Sequence, residues 1–415
     1  MEITSDSRPA LDGLTVLDLS RVLAGPYCSM LLSDLGARVV KIERPPSGDD
    51  TRAWGPPYLG NPHLGLSAYF LAVNRGKQSV CLDLSSRAGR SLLLDMVGRA
   101  DVLVENFAPG VADRLGLGAA AIAAANPRVV HCSITAFGEQ GGPGYDLVIQ
   151  GMSGLMSITG AEDGPPMKVG VAITDVIAGL QASNAILAAI VARHRSGRGD
   201  RISISLMGSA VAALVNVGQA HLVSGKPAHR WGNAHPQIVP YQVFASSDGY
   251  LTVAAGNDKL YSAMCRVIGR EDLAADPRFA TNPHRVENRA TLISVLETIF
   301  AHKTSAEWLE ALQAAEVPCG SVSSLEDLFA GSESPPGVEM LTLESGTGIA
   351  YRTVGSAAQM TGRRPHLTGA PLIGEHTEQV LVELLDLAPE RLQQLRADGV
   401  IRQTPGRNPR GREQT

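Results

Sequence analysis

Asp175 stands in V-A-I-T-D-V-I-A-G, where an apolar approach ends at one acidic residue and a long helical pattern begins. A carboxylate there has two uses. It can cap the helix by accepting a first-turn N–H, or it can attack an electrophile in the ionised form that a helix N-terminus favours. Position does not separate these readings, because the same field serves both. Other nucleophile patterns are missing: there is no G-x-S-x-G turn, and Cys28, Cys81, Cys132, Cys265 and Cys319 form neither a C-x-x-C pair nor a Cys/His cluster. The ten histidines lack any H-E-x-x-H-like spacing, so no protein-bound metal is expected. The turn S-R-V-L-A-G-P after the first strand pattern is not G-x-G-x-x-G, and Gly76-Lys77 is followed by Gln78 without the upstream glycine of a P-loop. Neither NAD nor ATP is therefore expected as a cofactor.

The elements that must position Asp175 follow a βαβ rhythm. Strand-like runs at Thr15 to Leu19, Arg38 to Ile42, Ser79 to Leu84, Asp101 to Asn106, Val129 to Thr135 and Ile202 to Leu206 alternate with helical patterns at Pro26 to Leu35, Ala88 to Val97 and Val176 to Arg195. Near-continuous apolar runs of this kind suit a parallel sheet covered on both faces. The Gly- and Pro-rich stretch 224–240 reads as a linker. Beyond it, the pair Tyr241 to Ala245 and Tyr250 to Ala254 around S-S-D-G reads as a hairpin, with helical patterns from Lys259, Arg289 and Ser305. The 415 residues thus divide into a large domain over 1–223, a linker with a small α+β domain over 224–330, a return to the large domain over 331–403, and a polar tail over 404–415 read as disordered. A net charge of −5 argues against nucleic-acid and anionic-membrane partners. With no signal-like N-terminal run and no stretch read as long enough to cross a bilayer, the expected location is cytoplasmic.

Several segments are similar to the class III CoA-transferase family, the CaiB/BaiF type that includes formyl-CoA and carnitine CoA-transferases. They are L-D-G-L-T-V-L-D-L-S-R-V-L-A-G-P from Leu11, G-A-R-V-V-K-I-E-R from Gly36, N-R-G-K from Asn74, D-V-L-V-E-N-F-A-P-G from Asp101, N-P-R-V-V from Asn126, the Asp175 segment, S-G-R-G-D from Ser196, V-P-C-G from Val317 and A-P-L-I-G-E-H-T from Ala370. The resemblance implies an α/β fold: a Rossmann-like large domain, a smaller α+β domain inserted between its N- and C-terminal parts, and an interlocked homodimer. It places the catalytic aspartate on Asp175, through aspartyl anhydride and aspartyl-CoA intermediates. Coenzyme A is then a substrate, moved between an acyl-CoA and a free carboxylic acid.

The family's CoA-contacting positions fall on Val22, Ala24, Arg44, Lys77, Asn106, Phe107 and Arg114, and the entrance positions on Tyr145 and Asp146. Arg44, Lys77 and Arg114 would meet the phosphates of CoA, and Phe107 its adenine. Gly256 and the Gly138 to Gly144 loop are candidates for oxyanion contacts, and Arg21, Arg52 or His235 for a distal carboxylate. Leu23 stands where formyl-CoA-binding members often carry Gln, and A-A-G-N-D from Ala254 shortens a glycine run. Both departures concern the acyl group. The alternative within the family is α-methylacyl-CoA racemase chemistry. Those members carry His-Asp where this chain has Tyr145-Asp146, and a tyrosine with an ordinary pKa of about 10 is a weak base near neutral pH.

Overall fold

Val16 and Leu17 point to opposite faces of one strand, and each enters a different apolar layer. Both faces of that strand are therefore covered, and its run of apolar residues has a physical reason. The computed structural model describes residues 8–331, 334–360 and 365–404. Its contacts divide the chain into a first unit drawn from Met1–Ser153, Gly170–Ala213 and Pro336–Thr415, and a second drawn from Gly154–Val169 and Leu214–Pro335. The sequence boundaries were 223 and 330, and the segment 154–169 had not been separated from the large domain. Except for Thr404, the tail over 404–415 lies outside the described residues.

The first unit runs β1 (Thr15–Asp18), α1 (Ala24–Asp34), β2 (Arg38–Glu43), α2 (Ala68–Val73), β3 (Lys77–Leu82), α3 (Arg87–Val97), β4 (Val102–Glu105), α4 (Val111–Arg114), α5 (Ala119–Ala125), β5 (Val130–Thr135), α6 (Asp146–Met152), α7 (Ile173–Ser196), β6 (Arg201–Ser205) and α8 (Leu206–Ala212). The six strands are parallel in the order β3-β2-β1-β4-β5-β6, and a short strand, Ile401–Arg402, adds antiparallel to the outer edge of β3. One face packs under α1 and α7 through Cys28, Leu32, Ala178, Ala182 and Ile186. The other packs under α3, α5 and the C-terminal helices Thr377–Leu385 and Pro389–Ala397 through Leu93, Met96, Ile122, Val380 and Leu392. The chain changes direction across the sheet between β1 and β4. In open sheets of this kind the crevice beyond the carboxyl ends of those two strands is the usual ligand position.

The helix α7 spans 24 residues and is long and apolar enough by composition to cross a bilayer, contrary to the sequence expectation. Its buried residues, among them Ala178, Ala182, Ile186 and Ile190, belong to the apolar layer on the sheet, so it packs as a core helix. It approaches α1 closely at Gly179, where a Cβ would lie 2.7 Å from the Ala24 carbonyl oxygen. That closeness sets the first turn of α1 against the second turn of α7.

The C-terminal return is held by specific bonds as well as by packing. Cys81 N–H donates to Thr377 Oγ1 at 3.0 Å, and Ser79 N–H to His376 Nδ1 at 3.2 Å, fixing the segment A-P-L-I-G-E-H-T against β3. Within 334–360 lies a hairpin of Met340–Glu344 with Ala350–Val354.

In the second unit Tyr241–Ala245, Tyr250–Ala254 and Cys319–Ser321 form an antiparallel sheet. Helices Asp258–Val267, Arg289–Phe300 and Ser305–Ala314 share its core of Phe244, Leu251, Tyr261, Leu296, Phe300 and Trp308. Buried Arg285 ties the loops together by donating to the carbonyls of Val239 and Phe279 and to Asp258.

Candidate active site

Helix α7 begins at Ile173, with Ala172 as its N-cap, so Asp175 is the third residue of the helix and does not cap it. The capping role falls on Asp146, the first residue of α6. Its Oδ1 accepts from Thr174 N–H at 2.9 Å and from Thr174 Oγ1 at 2.7 Å, while its Oδ2 accepts from Gln150 Nε2 at 2.7 Å. Asp146 is buried rather than displayed at an entrance. Asp175 is left half-buried and free of that structural duty.

Burial, and then the neighbouring Asp146 carboxylate, push the Asp175 carboxyl up to about 7. The helix N-terminus favours the ionised form, but these two effects outweigh it. Tyr69 on α2 lies within the same field: burial, then Asp175, Asp146 and Asp49, push its phenol up to about 12. Its ring meets Trp54 edge-on at 5.2 Å. Sequence reasoning passed over Tyr69, and its only signal was an aromatic just after the Ser67 cap of a short helix.

Asp175 lines a cavity of about 270 Å³ at the crossover between β1 and β4. Val22, Leu23 and Ala24 reach it from the end of β1, Asn106 and Phe107 from the end of β4, and the loop Gly142 to Tyr145 from beyond β5. Tyr145 is exposed. Gly256, the other candidate for an oxyanion contact, belongs to the second unit. A second cavity of about 420 Å³ lies beside the first at the ends of β1, β2 and β3, and Arg21 and Phe107 line both. Arg44 lines the second cavity.

At the mouth Asp50 takes two arginines, Arg21 at 2.8 Å and Arg44 at 2.6 Å, leaving one net positive charge. Arg114, at the end of α4, is exposed and lines neither cavity.

Two cations are placed otherwise than as ligand contacts. Lys77 is buried beneath α1, where its Nζ donates to Asp18 at 3.0 Å, Asn74 Oδ1 at 2.9 Å and the Pro26 carbonyl at 2.8 Å. All three ammonium protons are used, so Lys77 holds the sheet to α1 and is not available to a phosphate as placed. Arg52 is buried against Glu43, donating from Nε at 2.7 Å and Nη2 at 2.6 Å, and it stacks on Phe70 at 3.7 Å. Arg21 lines the cavity and is the first unit's candidate for a distal carboxylate, while His235 belongs to the second unit. Among the described residues no group of His, Cys, Asp and Glu has the arrangement of a metal site.

The family model for CoA-transferase family III matches residues 11–377. The chain belongs to CoA-transferase family III. Among its relatives, the succinyl-CoA:glutarate CoA-transferase of Mus musculus is 39% identical over 412 residues, covering 96% of this chain and 92% of that protein. The succinate–glutarate CoA-transferase of Agrobacterium fabrum is 40% identical over 388 residues, covering 91% and 96% respectively. A solved CaiB/BaiF family protein from Brucella suis matches with a TM-score of 0.78 at 39% identity, over 91% of this chain and 100% of that one. Membership of family III makes this protein an acyl-CoA:carboxylate CoA-transferase, with coenzyme A as a substrate. Transfer, not α-proton exchange, is the activity named for these relatives.

Proposed function

We propose that Asp175 is the covalent carrier in transfer of CoA between short dicarboxylic acids. In the first step a carboxylate oxygen of Asp175 attacks the thioester carbonyl of the donor, the C–S bond breaks, and an aspartyl anhydride forms with release of CoA thiolate. The thiolate then attacks the aspartyl carbonyl, the donor acid leaves as its carboxylate, and an aspartyl-CoA thioester remains. An acceptor carboxylate attacks that thioester, giving a new anhydride and thiolate. Attack of the thiolate on the acceptor's carbonyl yields the new acyl-CoA and restores Asp175. One thioester is exchanged for another, so the overall change is close to thermoneutral.

The observation that carries this reading is the release of Asp175 from capping duty by Asp146, which leaves it on the wall of the crossover cavity beside the β1 and β4 loops. A carboxyl titrating near 7 also suits a group that must act as nucleophile and leaving group by turns. Dicarboxylates are favoured by the names of the relatives and by Arg21 at the same cavity. The reading extends to an interlocked homodimer acting in the cytoplasm. Leu147, Val148 and Met152 on α6 with Leu180 and Val191 on α7 are exposed, and an apolar surface of that kind calls for a cover. Asp175→Asn, tested with succinyl-CoA and a series of dicarboxylate acceptors, should retain the fold and lose turnover by at least about a thousandfold. Turnover within about tenfold of the unmodified enzyme would reject the carrier role.

A further inference from the structure

Val22, at φ 72°, is one of four non-glycine residues with positive φ among the described residues, and the one that lines the cavity with Asp175. For a β-branched side chain the left-handed region is a genuine outlier, one that persists only where the surroundings over-determine it. Here the surroundings are specific. Asn106, at the end of β4, accepts from Arg21 N–H at 2.9 Å and donates from Nδ2 to the Arg21 carbonyl at 2.7 Å, gripping that residue's N–H and C=O as a neighbouring strand would. One residue on, Val22 N–H donates to Asp49 Oδ1 at 3.2 Å. Asp49 is itself buried, held by Lys41 at 2.9 Å and by Thr51 N–H and Oγ1 at 3.0 and 2.8 Å. The residues after Val22 open α1, and Leu23 and Ala24 line the cavity.

We propose that Asn106 is a positioning residue: with Asp49 it locks Val22 in the left-handed conformation that sets the Val22–Ala24 backbone against the cavity of Asp175. The resemblance had marked Asn106 as a CoA contact, but both ends of its side-chain amide are engaged by the chain itself. The proposal rests on the reading of that cavity as the transfer site. Its particular consequence concerns strain: once the grip is lost, a valine relaxes out of the left-handed region, whereas a glycine or asparagine stays there at little cost.

The test is a double-mutant cycle between position 106 and position 22 in the full-length enzyme. N106A should lower kcat by about 10–100-fold, the population loss that strain of this kind implies, with KM for the acyl-CoA within about threefold. In a V22G or V22N background the same N106A change should lower kcat by no more than about threefold, because the conformation no longer needs holding. A V22I background, still β-branched, should leave the full loss in place. If N106A is not recovered folded, N106D replaces it: its carboxylate still accepts from Arg21 N–H but cannot donate to the carbonyl, and the same suppression is expected.

An N106A loss of equal size in all backgrounds, or one that falls on KM, would overturn the proposal by making Asn106 a direct contact. An unchanged kcat in N106A would overturn it as well. D175N, run in parallel, separates the two levels: turnover retained there rejects the site, whereas turnover lost there with no suppression rejects only the strain lock.

Discussion

Replacing Asp175 by Asn should make the protein more stable above neutral pH, even as it abolishes turnover. The carboxyl's pKa is raised from 3.8 to about 7, first by burial and then by Asp146. Between those values the folded state holds a proton that the unfolded chain has released, so stability falls as pH rises through the window and stays low above it. Three units at about 1.36 kcal/mol each set an upper bound of about 4 kcal/mol. Asp175 is only half-buried and opens onto a cavity, so screening reduces this to about 2 kcal/mol. Roughly two of the three units fall between about pH 5 and pH 7, so the advantage of D175N should grow by about 1–1.5 kcal/mol from pH 5 to pH 8. In a thermal melt at fixed protein concentration that is about 1–2 °C at pH 8 beyond any difference at pH 5, for a chain of 415 residues. An advantage that is the same at both pH values, or larger at pH 5, would refute the assignment of a raised carboxyl to Asp175.

Two further predictions follow from the same geometry. Removing the Asp146 charge with Asp146→Asn keeps an acceptor for Thr174 and deletes the second cause of the raised carboxyl, so the acidic limb of kcat/KM against pH should move to lower pH. A limb that stays in place rejects the coupling of the two carboxylates. Lys77→Ala and Arg44→Ala should behave oppositely: the first leaves buried Asp18 short of its partner and costs about 3–5 kcal/mol of stability. The second should change stability by less than about 0.5 kcal/mol, while raising KM for acyl-CoA more at low salt than at high salt; chemical denaturation and salt-resolved kinetics distinguish them.

The parallel sheet was legible because its strands are buried on both faces, which writes Val16 to Leu19, Val39 to Ile42 and Val102 to Val104 as near-continuous apolar runs, interrupted only by the buried charges Asp18 and Lys41. The hairpin at Tyr241 to Ala254 was legible for a different reason, the short polar turn that separates its two runs. Asp175 could be found as an isolated carboxylate at the head of an apolar helix. Its freedom from capping could not, since the group that caps α7 is Asp146, on another helix and 28 residues away in the chain. Lys77, which the resemblance assigned to the phosphates of CoA, carries no local sign of its burial. What buries it is the meeting of Asp18, Asn74 and the Pro26 carbonyl, each from a different element or loop. The grip of Asn106 on Arg21 spans 85 residues and was hidden for the same reason. Contacts that join distant segments leave no periodicity to read.

The central claim, that Asp175 carries the acyl group and then CoA, is tested most directly by trapping. Both covalent forms are electrophilic at or next to the aspartyl carbonyl, and hydroxylamine attacks such a carbonyl to leave a hydroxamate. The enzyme incubated with succinyl-CoA and hydroxylamine together should lose activity and yield one modified peptide, with the hydroxamate on Asp175, whereas either reagent alone should leave the residue unchanged. Turnover of the donor with no hydroxamate, or with the label on another residue, would contradict the account.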